Sequence, residues 1–143
     1  QRDGGAALSA LIDDVHKTAE ALRGEASLAS MGSALAAGAD DLRAAMALVL
    51  EQGSDPEHGP DAVQAYATPL LSLAGHVLCA WQMGIAALHA QQAVDGGSDE
   101  PFYRAKLCSA EFAIHQWLPV GRAQHAVIEA GWHCFGQFDS AAY

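Results

Sequence analysis

Residues 69 to 88 read Pro69-Leu-Leu-Ser-Leu-Ala-Gly-His-Val-Leu-Cys-Ala-Trp-Gln-Met-Gly-Ile-Ala-Ala-Leu88, and this stretch decides the fold. Its larger apolar side chains recur three or four residues apart, the spacing of one face of an α-helix: Leu70, Ala74, Val77, Leu78, Trp81, Ile85 and Leu88. Small side chains fill a narrow arc on the opposite side: Ser72, Gly75, Cys79, Ala86 and Ala90. A helix with one bulky and one small face has neighbours on both sides, so we predict that it is central.

Two further helices are predicted upstream of this stretch. The first runs from about Ala6 to Arg23 and carries apolar residues at helical spacing. The second runs from about Ala26 to Gln52, where leucine or valine recurs every seven residues, as in the seam of a helix bundle. A dense cluster of turn residues, 53–60, ends it.

Prolines mark the third and fourth helices. The third begins near Asp61, a plausible N-cap, and Pro69 either kinks or restarts it. After a loop at residues 95–100, the fourth begins at Pro101 or Phe102, because proline is favoured in the first helical turn. Pro119 kinks or ends its regular run, the chain continues helically over 120–130, and Gly131 closes the helix.

The last segment, 132–143, has no clean periodicity. Its aromatic side chains would be costly if all were exposed, so we expect it to lie against something: Trp132, Phe135, Phe138 and Tyr143. The sequence thus predicts an all-α fold, a four-helix bundle with kinked third and fourth helices and an aromatic-rich C-terminal tail. Residues 1–143 form a single helical domain, which fits the usual size of one domain.

Composition excludes several classes of partner. The net charge is −10 and no run of Lys or Arg occurs, which argues against nucleic acid and against an anionic membrane surface. No uninterrupted apolar stretch of about 18 residues or more is present, so we expect no membrane span. Three cysteines, at 79, 108 and 134, form no disulfide framework. With no signal peptide at the start, we expect a cytoplasmic protein whose thiols behave as small apolar side chains.

The seven histidines raise the question of a metal site. His76 and Cys79 lie three residues apart on the third helix, and His133 and Cys134 are adjacent in the tail. Zinc requires four converging ligands at recognisable spacings, and neither His-Glu-x-x-His nor Glu-x-x-His occurs. We therefore predict no metal ligand.

A second candidate is the pair Glu111 and His115, four residues apart, with Arg104 two turns upstream. Glu111 could orient His115 as a general base. The alternative is a solvated helix face with a weak ion pair, and we favour it because no nucleophile is nearby in the sequence. Lys106 could likewise meet an acidic partner or a CoA phosphate, but a lysine whose stem packs while its head reaches water is the favoured interpretation.

The remaining features are structural. Trp81 and Trp117 lie in apolar stripes and are predicted to be core residues rather than ligand-stacking ones. Neither the Gly-x-Gly-x-x-Gly spacing of a dinucleotide site nor a Gly-x-Ser-x-Gly elbow occurs. We predict no catalytic, cofactor-binding or metal-binding residue in this chain.

Three pieces of sequence, in this order, carry a resemblance to a known family: Ala67-Thr-Pro-Leu-Leu-Ser-Leu-Ala-Gly75, Phe102-Tyr-Arg-Ala-Lys-Leu107 and Trp117-Leu-Pro-Val120. They resemble the helical extension that follows the catalytic core of large bacterial acyl-CoA dehydrogenases, in the group similar to 3-methylmercaptopropionyl-CoA dehydrogenase. The opening residues, Gln1-Arg-Asp-Gly-Gly-Ala6, resemble the link between that core and the extension.

The resemblance implies an excised C-terminal domain. The parent would use FAD to desaturate an acyl-CoA between its α and β carbons, with a glutamate base upstream of Gln1; Glu111 and Glu129 do not match that motif. This domain would be inactive alone, and would complete contacts in a homo-oligomer or cover part of the substrate entrance. Its partners would be the parent's catalytic core and other subunits. The alternative is a freestanding helical-bundle binding or protein-interaction module. A metal-carrying bundle enzyme would need inward carboxylates, whereas these stripes are apolar.

Overall fold

The computed structural model describes residues 5–132, and these form four α-helices with no strand among them. The helices are α1 (Ala6–Gly24), α2 (Ala29–Gln52), α3 (Gly59–Asp95) and α4 (Pro101–Glu129). The predicted all-α bundle is therefore confirmed. Three of the four predicted tail aromatics, Phe135, Phe138 and Tyr143, lie outside the described residues, as do the adjacent His133 and Cys134.

Two helix starts differ from the sequence prediction. Helix α2 begins at Ala29 rather than Ala26, and α3 begins at Gly59, so its N-cap is His58 and not Asp61. The turn ahead of α3 is stabilised by Asp55 instead. Its Oδ1 accepts the backbone N–H groups of Glu57 at 2.8 Å and His58 at 2.9 Å. These hydrogen bonds hold the pKa of the Asp55 carboxyl below its ordinary value, because they favour the ionised form.

Both internal prolines lie within continuous helices. Helix α3 runs through Pro69 and α4 runs through Pro119. Each proline lacks an N–H, so it cannot bond the carbonyl one turn earlier. The prolines therefore do not end either helix, and Gly131 closes α4 in the left-handed conformation, with φ 85°.

Gly75 and Cys79 of the small face are exposed, so the neighbour predicted on that side is absent among the described residues. Helix α3 does contact α1, α2 and α4, a position that it shares with α2. Its buried face, however, is rotated from the predicted one. The fully buried positions on its inner side are Leu73, Val77, Ala80, Gly84 and Ala87. Most of the predicted face flanks this stripe and is only half-buried, as for Leu70 and Trp81. The periodicity of large side chains missed the rotation because small residues occupy half of the true contact.

Glycine makes two of the closest helix contacts. A Cβ at Gly84 would lie 3.0 Å from Leu22 Cδ1 of α1, so an alanine here would require that leucine side chain to shift. A Cβ at Gly32 of α2 would lie 2.6 Å from the backbone oxygen of Ala19 in α1. Real Cβ atoms do not approach a backbone oxygen that closely, so α1 and α2 touch backbone to backbone because residue 32 is glycine.

The end of α4 is tied back to the start of the α2–α3 loop. Trp132 is buried, and its indole Nε1 donates to Gln52 Oε1 at 3.2 Å. The ring of His58 lies 5.8 Å from the Trp132 ring, centroid to centroid. Tyr66 is buried nearby, and burial raises the pKa of its hydroxyl. Trp132 is thus the one tail aromatic within the described range, and it packs on the bundle.

Helix α3 is long and apolar enough, by length and composition, to cross a membrane. Its most apolar 18-residue window has a mean hydropathy of 1.5. The sequence analysis looked for an unbroken run of apolar residues and found none. The mean hydropathy of an 18-residue window can be high even when the window includes histidine and glutamine, as it does within α3. In the folded chain α3 touches all three other helices, as the core helix of a bundle does, although only 28% of that window is buried.

Candidate interaction surface

Helix α3 is nearly free of charged residues. Residues 62–94, nearly all of α3, include no Asp, Glu, Lys or Arg, although the chain carries a net charge of −10. The inner side of α3 packs into the bundle, but its outer side reaches solvent. Leu71, on that outer side, is 75% exposed, the largest fraction for any large apolar side chain in the described chain. Solvent therefore meets an uncharged helix surface here.

Helix α4 extends this surface. Phe102, Val120 and Val127 are exposed and spaced by 18 and 7 residues, which is about five and two turns, so they share one side of the helix. Trp117 lies on the flank of that side nearest α3. We call the resulting surface the neutral face, defined by these exposed residues: Leu71, Gly75, Cys79, Phe102, Trp117, Val120 and Val127. Exposed large apolar side chains on one surface make it a candidate interaction site, because apolar patches often mark such sites.

A shallow groove of about 390 Å³ crosses the neutral face between α3 and α4. Its lining is apolar and small on the α3 side, with Trp117 as the opposite wall: Ser72, Gly75, His76, Cys79 and Trp117. His76 Nδ1 donates to the backbone carbonyl of Ser72 at 2.7 Å, which fixes the ring orientation. The groove has a single ionisable imidazole and one thiol, so it offers shape rather than charge.

The helices forming the groove approach closely because of Gly121. A Cβ at this position would lie 3.3 Å from both His76 Cβ and Leu73 Cδ1 of α3.

The sequence analysis assigned Trp117 to the core, and this is wrong, because its side chain is 38% exposed. Gly75 and Cys79 across the groove are too small to cover the indole. Trp81 is half-buried against the core, where its Nε1 donates to Thr18 Oγ1 of α1 at 2.7 Å.

A second cleft, of about 290 Å³, lies on the other flank of α4, against α2. Its polar side chains are Asp41, His115 and Arg122. Arg122 Nε donates to Asp41 Oδ2 at 2.9 Å, and His125 Nδ1 lies 3.4 Å from Asp41 Oδ1. Sequence reasoning missed this cluster because its two helices are about 80 residues apart in the chain, and only the spacing of Arg122 and His125 on one side of α4 hinted at it.

The other candidates from the sequence are dispersed. Glu111 and His115 are both exposed, and no hydrogen bond or ion pair joins them within residues 5–132. Arg104 is also exposed. Lys106 is half-buried, and its Nζ lies 5.6 Å from the centroid of the Phe102 ring, a cation–π contact. The thiols of Cys79 and Cys108 are free and exposed, and Cys134 lies outside the described residues.

A metal centre and an FAD site each require a distinctive set of side chains. No group of three or more His, Cys, Asp or Glu side chains there converges to hold a metal ion. FAD carries two phosphates, which need basic side chains or a glycine-rich loop ahead of a helix. Arg122, in the cleft against α2, is the one permanently charged cation that lines either the groove or this cleft, and it is already paired with Asp41. The described residues therefore do not fit FAD.

Comparison with known proteins identifies the family of the chain. Residues 11–138 match the family described as acetyl-CoA dehydrogenase C-terminal like. A relative named 3-methylmercaptopropionyl-CoA dehydrogenase, from Ruegeria pomeroyi (strain ATCC 700808 / DSM 15171 / DSS-3), is 35% identical over 103 residues. That match covers 71% of this chain and 16% of the relative, so the chain aligns with about a sixth of that protein. Since the family pattern spans most of the sequence, the chain belongs to the acetyl-CoA dehydrogenase C-terminal-like family.

Proposed function

We propose that this chain is the C-terminal domain of an FAD-dependent acyl-CoA dehydrogenase and that it acts as an interface rather than as a catalyst. The parent enzyme would desaturate an acyl-CoA thioester between its α and β carbons. Family membership and the name of the relative support the reaction class. The observation that carries the interface role is the neutral face, an exposed apolar surface of an acidic domain that includes the outer side of α3, where residues 62–94 carry no Asp, Glu, Lys or Arg.

The chemistry would lie on residues outside this chain. Removing hydrogen from an acyl-CoA requires a base at the α carbon and an acceptor for the hydride, which FAD supplies when bound in the parent. Asp41, the carboxylate that lines the second cleft, is already paired with Arg122, and neither cleft holds a phosphate cradle. Catalytic, cofactor-binding and metal roles are accordingly assigned to none of its residues.

Burial of the neutral face would be favourable. Apolar surface gains roughly 25 cal/mol for each Å² removed from water, and protein interfaces exclude charge from their centres. The exposed Leu71 and Phe102 therefore lie in a surface suited to a partner subunit or to the parent's catalytic core. We place the assembled homo-oligomer in the cytoplasm, on the absence of a disulfide framework and the free thiols of Cys79 and Cys108.

The test uses a longer protein that ends in this chain, purified with and without residues 1–143. The long form should contain flavin at near-unit stoichiometry and reduce an artificial electron acceptor when acyl-CoA is added. The isolated chain should be colourless and inactive, and removal of the domain should lower the oligomeric state while flavin is retained.

Two results would contradict the proposal. A long form without flavin would remove the dehydrogenase assignment. If the truncated enzyme kept its assembly and rate unchanged, the domain would have no interface role, and a separate binding module would be the better description.

A further inference from the structure

We infer that the neutral face binds the same face of a second copy of this chain, with α3 packed antiparallel on α3 about a twofold axis close to Gly75. The inference names the occupant of the surface whose interface role is proposed above, and it rests on that role. Three properties of the described residues support it: charge, shape and area.

Charge selects the face on which two copies can meet. Each copy carries −10, so most orientations bring carboxylates together across the contact. The exposed acids of α1 and the α2–α3 loop would do so, as for Asp14 and Glu57. Since residues 62–94 contain no charged side chain, a contact centred on α3 avoids this repulsion.

Shape makes this face complementary to itself. Leu71, Gly75 and Cys79 follow one another at four-residue spacing along the outer row of α3. A Cβ built at Gly75 meets no atom within 4 Å, so the backbone is open to a close neighbour. With a twofold axis at Gly75, the protruding Leu71 of each copy lies opposite Cys79 of the other, about 6 Å from the axis. Each Leu71 then enters the edge of the opposite groove.

Area is sufficient for a stable contact. With the axis at Gly75, the uncharged stretches of the two copies overlap over residues 62–88, which span about 40 Å at 1.5 Å per residue. Two adjacent helices present a width of roughly 20 Å, since helix axes lie about 8–10 Å apart. The resulting footprint of about 800 Å² equals the roughly 800 Å² that each partner buries in a standard interface.

A disulfide tests the register. In the 143-residue chain with Cys108→Ser and Cys134→Ser, the substitution Leu71→Cys places a thiol opposite the partner's Cys79. Diamide should join the two thiols, taking up the two electrons and two protons that the new S–S bond releases. We expect a covalent dimer on a non-reducing gel and loss of that band on reduction. The same variant with Cys79→Ser should stay monomeric on the gel. The thiols introduced at residue 71 of the two copies are about 12 Å apart along the helix, too far to form a disulfide.

A charge substitution tests the contact itself. Gly75→Glu should fold as the wild type does, because its position is open, but it would place two carboxylates at the twofold axis. Sedimentation should show dimers for the wild type and at least a tenfold higher dissociation constant for this variant. Gly24→Glu is the matched control, since a Cβ there also meets no atom within 4 Å, and it should keep the dimer.

Several outcomes would overturn the inference. One is a wild-type chain that stays monomeric at tens of micromolar. Another is a dimer that survives Gly75→Glu, or that gives no Leu71→Cys cross-link. A monomer that instead sediments with neutral phosphatidylcholine vesicles would assign the face to lipid. In each case flavin content and activity of the longer enzyme would still report separately on the proposed function.

Discussion

Gly32 and Gly75 lie in helices of the same bundle, yet they are surrounded by opposite environments. At Gly32 a single added carbon would lie 2.6 Å from the backbone oxygen of Ala19, so the backbone of α1 already fills the space that a side chain on α2 would need. At Gly75 nothing lies within 4 Å. A glycine within a helix costs roughly 0.5–1 kcal/mol relative to alanine. At Gly32 the close contact between α1 and α2 offsets this cost, whereas at Gly75 no contact within the described chain offsets it.

The contrast extends to the regions around the two glycines. The outer surfaces of α1 and α2 carry ion pairs, such as Arg43 Nη2 with Asp13 Oδ1 at 2.7 Å, which also holds the pKa of the Asp13 carboxyl below its ordinary value. The neutral face has an open glycine and exposed apolar side chains instead. One region is complete within a single chain, and the other has the composition of an interface core.

The largest expected difference between the two regions concerns the tryptophans. Trp81→Ala should lower the free energy of unfolding by about 3 kcal/mol, the lower end for a large aromatic, because the side chain is half-buried and bonds to Thr18. Trp117→Ala should cost less than about 1 kcal/mol in the monomer. Urea unfolding of both variants, at a concentration low enough to keep the chain monomeric, makes the comparison. Equal losses would mean that both sides are packed alike.

The glycines themselves give the next largest effect. Gly32→Ala should destabilise the domain by about 1–3 kcal/mol, since α1 and α2 must move apart. Gly75→Ala should stabilise it by about 0.5–1 kcal/mol through helix propensity alone. Thermal melts of the two variants have opposite expected signs. A destabilising alanine at residue 75 would show that the neutral face is already covered.

The smallest effect concerns pH. The folded pKa of Asp55 is lowered, so its ionised form adds stability above its unfolded pKa, and that stability is lost as pH falls through the folded value. Asp55→Asn should therefore reduce the loss of stability on acidification, measured as the urea midpoint at pH 7 and at pH 3. Thr68→Ala, on the uncharged outer side of α3, is the control and should leave the pH dependence as in the wild type. A variant at residue 55 that titrates like the wild type would place the acid sensitivity elsewhere.

Much of the fold could be predicted because residues close to each helix end determine where that helix begins or stops. The turn residues at 53–60 and the proline at 101 set boundaries within a few positions, and Gly131 closed α4 as expected. The rotation of α3 could not be predicted, because it depends on which small residues meet a neighbour. Gly84 is buried only because Leu22 and Leu35 from other helices fill its space.

The surface was harder to predict than the fold. A stripe of apolar residues predicts burial, and Trp117 belongs to such a stripe, but periodicity does not say whether the covering neighbour belongs to the same chain. The cluster of Asp41 with Arg122 and His125 brings residues from two helices together, which no local pattern shows. The family resemblance was visible in short motifs. These motifs lie in α3 and α4, the two helices that form the neutral face.

The uncharged helix has a consequence for synthesis on the ribosome. Helix α3 is complete at residue 95, but α4, against which it makes its most extensive contact, is complete only at residue 129. At about 5–20 residues per second, translation of the intervening 34 residues takes about 2–7 s. During that interval the nascent chain presents a segment with the length and hydropathy of a membrane span. Until α4 is made, the inner side of α3 can be covered only by α1 and α2, the two helices that precede it in the chain.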